Sequence, residues 1–238
     1  MNSKIIEYSN GKLKFIGKLF WDAAQSGKRP GVVVFPEAFG LGEHACESAE
    51  RLAQMGFVVL AADLHGEGKF FADLASVSAP IQALYADRAD WRSRARAALD
   101  TLTAQPQVDV NKIAAIGFCF GGTTCIELAR TGAPLAAIVA FHAGLIPALS
   151  EDAERVRAKV LICHGADDPI VKKEGIDAIM TEFRRDKVDW QFIYFGNTVH
   201  GFTNGEIDKL NSPALAYNAL AKKRSWTTMC NLFDEVFS

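Results

Sequence analysis

The chain is poor in cysteine, and the cysteines it has do not pair by pattern. Cys46, Cys119, Cys125, Cys163 and Cys230 make an odd count with no C-x-x-C. That argues against a disulfide framework or a cysteine zinc site, and it fits a reducing compartment. Long hydrophobic runs are missing as well. Strongly apolar runs, such as Val32–Phe35 and Phe57–Ala62, fall far short of the roughly 18–20 residues of a membrane span. The first residues, Met1–Tyr8, lack the apolar stretch of a secretory signal. A cytoplasmic location is therefore expected, with no membrane partner. An excess of positive charge is absent too. Twenty-six Lys and Arg face 28 Asp and Glu, a formal charge of −2, so nucleic acid is not the expected partner. There is no internal repeat, low-complexity tract or Pro/Ser-rich linker.

What is there suits an ordinary globular protein. With 49% hydrophobic and 23% charged residues, the chain can bury a core without staples. One domain, Met1–Ser238, is expected. Short apolar runs alternate with amphipathic stretches, the pattern of a mostly parallel sheet with helices on both faces. Strands are predicted at Gly31–Phe35, Phe57–Asp63, Ile113–Phe118, Ala136–His142, Val160–His164 and Gln191–Phe195. Helices are predicted at Glu43–Met55, Ile81–Thr103, Gly121–Thr131, Glu174–Lys187 and Pro213–Phe237. In the first helix Cys46, Ala49, Leu52 and Ala53 mark the apolar face. Ile5–Phe20 reads as an antiparallel edge hairpin turning at Asn10-Gly11.

Polar and glycine-containing clusters follow several of these strands, and α/β sites form beyond the carboxyl ends of parallel strands. Gly117-Phe118-Cys119-Phe120-Gly121 has the form G-x-C-x-G between a strand pattern and a helix pattern. This is the context of a nucleophile elbow, whose tight turn needs glycine neighbours. The helix N-terminus beneath Cys119 would favour a thiolate and an oxyanion in front of it. An acid and then a histidine should follow in sequence. Asp168, before Pro169, is the candidate acid; Asp167 is its rival, with a turn or helix-cap role otherwise. His200, in a loop after the last strand, is the candidate base. His44, His65, His142 and His164 read as cap, turn or strand-end residues. Glu37, after the first parallel strand, reads as a solvated loop acid or a helix-entry partner, or else as a proton acceptor or hydrogen-bond partner for Cys119. Cys125 and Cys163 read as packed side chains. Phe70-Phe71 could line a pocket or cap the core.

Pro36-Glu-Ala-Phe-Gly-Leu41, Ala62-Asp-Leu-His-Gly-Glu-Gly68, Gly117–Gly122, Gly165–Val171 and His200-Gly-Phe202, taken in order, resemble the dienelactone hydrolase family of α/β-hydrolases. The resemblance runs from about Tyr8 to Phe237. It implies a single-domain α/β-hydrolase fold and a Cys119–His200–Asp168 triad that opens a small ester or lactone through an acyl-enzyme. It also implies that Glu37 contacts the resting thiol and helps to deprotonate it. Backbone N–H groups of Phe120 and Ala38 would form the oxyanion hole. No metal or organic cofactor is implied. The family's substrate-binding arginine, four residues after the histidine, is here Asn204, which cannot form a bidentate ion pair. Arg88, Arg92 and Arg96, four residues apart on one helix face, are an alternative anchor, though a solvated charged stripe is their plainer reading. A general carboxylesterase or thioesterase, and a thiol-sensing or ligand-binding homologue, are the rival functions. The oligomeric state is left open, with a monomer compatible.

Overall fold

The computed structural model describes residues 1–238. It contains eight strands, mostly parallel, and six α-helices. Two compact units divide the chain, Met1–Ile116 and Gly117–Ser238.

In the first unit the strand order is β1-β2-β4-β3-β5. β1 (Asn2–Ser9) and β2 (Lys14–Trp21) form the expected hairpin, paired from Asn2↔Trp21 to Ser9↔Lys14. The Asn10 carboxamide oxygen accepts from Lys12 and Leu13 N–H, and Gly11 takes a φ of 88°, so Asn-Gly forms the turn. β2 runs antiparallel to β4 (Val58–Ala61), and β4 runs parallel to β3 (Arg29–Phe35). Val32–Phe35 and Val58–Ala61 are fully buried, which is why these strands read as unbroken apolar runs rather than as alternations. Helix α1 (Glu43–Gln54) buries Ala45, Ala49, Leu52 and Ala53. Cys46 lies at the margin of that face, half-buried, and Ala45 takes the central place.

The long helix expected over Ile81–Thr103 is two helices, α2 (Leu74–Ala86) and α3 (Arg88–Thr103). Asp87 ends the first and caps the second, its carboxylate accepting from Asp90 N–H at 2.9 Å. Side-chain capping by aspartate favours a helix start over continuation. The α2 start lies upstream at the Asp73–Ser76 capping box, and Pro80 inside the helix hides it from pattern reading.

β5 (Val108–Phe118) is longer than expected at its N-terminal end and runs into the second unit. From it the order continues β6-β7-β8. β6 (Ala137–Phe141), β7 (Lys159–Gly165) and β8 (Trp190–Phe195) are parallel to one another, in registers Phe141↔Cys163 and Gly165↔Phe195. Helices α4 (Phe120–Arg130), α5 (Lys173–Arg185) and α6 (Ala219–Phe237) complete this unit. The last begins six residues later than Pro213, because Asn218 caps it through Leu220 and Ala221 N–H. The residues before it pair with the histidine loop instead, His200 N–H to Ala214 O and Ala216 N–H to His200 O.

Every residue of α4 is buried, including Glu127 and Arg130. The Arg130 guanidinium donates to Glu182 on α5 (3.0 and 2.5 Å), to Glu127 (2.6 Å) and to the Ile146 carbonyl (3.0 Å). A charge so far from water persists only with such partners. The network fixes the far end of the helix whose near end carries Cys119.

Candidate active site

One residue, Cys119, separates β5 from α4. Its backbone lies at φ 53°, ψ −115°, a conformation that non-glycine residues adopt only where their surroundings enforce it. The enforcement is local. A Cβ on Gly117 would lie 2.1 Å from the Gly121 carbonyl oxygen, so the chain can double back only with glycine there. Cys119 N–H donates to Phe141 O at 3.0 Å, and Cys119 is the N-cap of α4. The thiol therefore sits at a helix N-terminus, where unpaired N–H groups and the dipole favour negative charge.

Asp168 and His200 come together because two loops meet main chain to main chain. Ala166 N–H donates to Phe195 O, and Asp167 N–H donates to Thr198 O. A Cβ on Gly165 would fall 2.4 Å from Thr198 O, so this approach needs glycine. Asp168 Oδ1 accepts from Ile170 N–H (2.8 Å) and Val171 N–H (3.3 Å). Oδ2 is left for His200, whose Nδ1–H donates to it at 2.7 Å. Asp168 is buried, whereas Asp167 is exposed and has its side chain off this pair. Desolvation pushes the Asp168 carboxyl up, but the His200 bond and charge and the Ile170 N–H outweigh it, leaving it below the usual carboxylate value.

The His200 Nε2 atom is buried and has no conventional hydrogen-bond partner. Burial alone would lower the pKa of the imidazole. The Cys119 sulfur, through its charge and as an acceptor, acts with the Asp168 carboxylate to raise it to about 10. Nδ1 already serves Asp168, so Nε2 is the ring atom left to meet the thiol. The imidazole is therefore held toward its protonated form at the elbow.

Other histidines have their own places. His142 follows β6 and is fully buried, with its Nε2 2.7 Å from Thr203 Oγ1. Its Nδ1 accepts from Cys119 N–H at 3.1 Å. His142 reads in the sequence only as a cap, turn or strand-end residue and Thr203 is not singled out, although His142 meets the strand-end criterion that marks the other site residues. His164, at the end of β7, packs edge-on against Phe192 and Tyr194, and burial lowers its pKa.

In the first unit, Glu37 is buried, and its Oε1 lies 2.6 Å from Nδ1 of His44 in the first turn of α1. The α1 N-cap is Gly42, so His44 is a partner for Glu37 and not a cap. The neighbouring Ala38 carbonyl accepts from His65 Nε2 at 2.6 Å. His65 is held to the neutral form chiefly by burial, and its ring packs edge-on against Phe71. Phe70 is exposed. Asn204 uses its Oδ1 on Glu206 N–H at 2.9 Å, an Asx turn within its own loop. Arg96 pairs with Asp100 on the same helix. Cys125 and Cys163 are buried, and burial pushes both thiols up.

Residues 17–237 match the model of the dienelactone hydrolase family. A solved structure described as m3DLH is 59% identical, superposes with a TM-score of 0.98, and covers 100% of this chain and 99% of its own. The crystal structure of the dienelactone hydrolase-like promiscuous phosphotriesterase P91, from metagenomic libraries, is 60% identical with a TM-score of 0.97, covering 99% and 98%. A protein of Escherichia coli (strain K12), provisionally named carboxymethylenebutenolidase, is 24% identical over 223 residues, 88% of this chain and 78% of that one. With an elbow cysteine, a buried Asp–His pair and a family match spanning nearly its whole length, the chain belongs to the dienelactone hydrolase family of α/β-hydrolases and is an ester- or lactone-cleaving hydrolase.

Proposed function

We propose that the substrate is a small ester or lactone and that Cys119, His200 and Asp168 act on it as a triad. The observation that carries this reading is the buried bond from His200 Nδ1 to Asp168 Oδ2, with Cys119 acting on the same imidazole from an elbow at a helix N-terminus. The thiolate attacks the carbonyl carbon, and an S–C bond forms as the carbonyl π pair moves to oxygen. The resemblance assigns that oxyanion to the N–H groups of Phe120 and Ala38. As the intermediate collapses, the C–O bond breaks and the alkoxide takes the proton from His200 Nε2. In a lactone the alkoxide stays tethered to the acyl group. Water then gives a proton to His200 and its hydroxide adds to the thioester. As this second intermediate collapses the C–S bond breaks, the acid leaves, and the freed thiolate is left beside the protonated His200, ready for the next cycle. Asp168 holds the imidazole in the tautomer this cycle needs.

The resemblance gives Glu37 a part in deprotonating the resting thiol, with His44 as the residue that holds its carboxylate otherwise. Asn204 carries no charge and cannot form a bidentate ion pair, which favours neutral esters and lactones over anionic ones. We read Met1–Ser238 as one domain, since the family model runs unbroken across both units. Five free thiols support a reducing location such as the cytoplasm, and no helix is long and apolar enough to cross a membrane.

A second reading is favoured by the 60% identity to P91: a phosphotriester could serve as a side substrate, with sulfur attacking phosphorus in place of carbon. Mass spectrometry of enzyme quenched during turnover tests the main reading. An acyl adduct on the Cys119 peptide with p-nitrophenyl acetate, absent in Cys119→Ala, is expected. Turnover with no adduct and full activity in Cys119→Ala would overturn it. A triaryl phosphate run in parallel tests the second reading by a diaryl phosphoryl adduct on the same peptide, formed as an aryloxide leaves.

A further inference from the structure

The residue that joins the nucleophile turn to the base loop is one that neither motif contains. We propose that His142 is a positioning residue whose two ring nitrogens hold Cys119 and His200 in mutual register. This rests on the reading of Cys119 and His200 given above. One nitrogen reaches the nucleophile turn, since Cys119 N–H donates to Nδ1 at 3.1 Å. The other reaches the base loop, since Nε2 lies 2.7 Å from the hydroxyl of Thr203, three residues past His200.

These contacts fix the protonation state. A nitrogen that accepts from an N–H cannot carry its own proton, so Nδ1 is bare and Nε2–H donates to Thr203. His142 is therefore neutral in its place and is not a rival base. Its ring is fully buried and stands edge-on to His200 (centroids 5.2 Å apart) and to Phe202 (5.1 Å). Its backbone is at φ 38°, a conformation a non-glycine residue keeps only where its surroundings over-determine it. The backbone on either side supplies part of that, with His142 N–H donating to Cys163 O and Cys119 N–H also donating to Phe141 O. The strained main chain aims the imidazole at both loops at once. Without the bridge, the base loop could shift relative to the thiol by more than the roughly 0.5 Å that proton transfer tolerates.

The test uses Thr203→Val, His142→Asn and the double variant. Asn places an acceptor near Nδ1 and tolerates positive φ, but it does not reach Thr203. Both single variants thus break the same bond, and valine preserves the shape of threonine. The readouts are the pH profile of Cys119 alkylation by iodoacetamide, and kcat and KM on p-nitrophenyl acetate. Each single variant is expected to move the alkylation inflection upward and to lower kcat about tenfold with KM little changed. The double variant should be no more than about twofold worse than the worse single. A wild-type alkylation profile in folded Thr203→Val overturns the proposal even if His142→Asn fails to fold. Multiplicative losses in the double variant overturn it as well. His200→Ala separates the two levels. If it leaves the alkylation profile unchanged, the Cys119–His200 reading itself is wrong. If it shifts the alkylation profile while Thr203→Val does not, only the role of His142 falls.

Discussion

Two buried aspartates close two parallel strands of this chain, and their carboxylates are used in opposite ways. Asp63, after β4, is saturated by the main chain. Oδ1 accepts from His65 and Gly66 N–H, and Oδ2 from Ile16 and Gly68 N–H, all at 2.8–3.0 Å. Its own N–H and C=O are tied to the Tyr8 hydroxyl. Asp168, after β7, gives one oxygen to backbone N–H groups and keeps the other for an imidazole. A carboxylate with four main-chain donors has no capacity left for chemistry and fixes a loop. A carboxylate held on one side only is rigid and still has an acceptor to offer. Burial and position at a strand end do not separate the two; the allocation of lone pairs does.

The largest difference should appear in rate. Asp168→Asn puts an amide where His200 Nδ1–H needs an acceptor, and loss of a triad member typically costs about 10³–10⁴-fold. Steady-state kcat/KM on p-nitrophenyl acetate is the measurement, and a loss under tenfold would erase the distinction from Asp63. Stability should carry a pH signature of the same pair. The Asp168 value is lowered in the folded state, so its contribution is present above about pH 4 and is lost as pH falls through the lowered value. The His200 value is raised, so its contribution is full below about pH 6.5 and fades as pH rises towards about 10. The difference in unfolding free energy between wild type and Asp168→Asn should thus be widest between about pH 4 and 6.5.

A third buried carboxylate cluster sharpens the contrast from the side of stability. Arg130→Met would leave Glu127 and Glu182 buried without their cation. Breaking such a network from one side costs about 3–5 kcal/mol. Urea unfolding should show that loss, and an unchanged midpoint would mean that water reaches the carboxylates. Asp63→Asn comes next, at about 2–4 kcal/mol, because the carboxamide nitrogen would face two of the N–H donors that the carboxylate satisfied. The folded fraction of Asp63→Asn should keep kcat/KM within tenfold of wild type. Asp168→Asn should show the reverse, a large loss of rate with a smaller loss of stability.

Sequence alone carries the second unit further than the first. The elbow is readable because glycine at 117 leaves room for the turn to double back, and because strand and helix patterns flank it closely. Asp168 and His200 are readable from their order and their loops. What the sequence does not carry is pairing that depends on where separate loops meet. Nothing local distinguishes His142 from His164 as strand-end histidines, yet one bonds to the nucleophile turn and the other packs against Phe192 and Tyr194. Glu37 finds His44 seven residues on, a pairing that a cap assignment for His44 obscures. The break between α2 and α3 turns on which partner Asp87 takes, a choice that periodicity does not register. The 213–218 segment reads as helix until its backbone is seen to pair with the His200 loop.

The smallest expected effect belongs to the residue beside the acid. Asp167 and Asp168 differ by one position and, to sequence reading, by little more than the proline that follows the second. In the structure the Asp167 main chain anchors the loop through its N–H to Thr198 O, while its side chain is exposed. Asparagine keeps that N–H and removes only a solvated charge, which is worth at most about 0.5 kcal/mol. Its long-range effect on His200 is screened by water. Asp167→Asn should therefore leave kcat/KM within about twofold and the urea midpoint unmoved. A loss of a hundredfold or more would mean that the loop pairs the other carboxylate with His200 during turnover, and the contrast drawn between Asp168 and Asp63 would then have to be redrawn around Asp167.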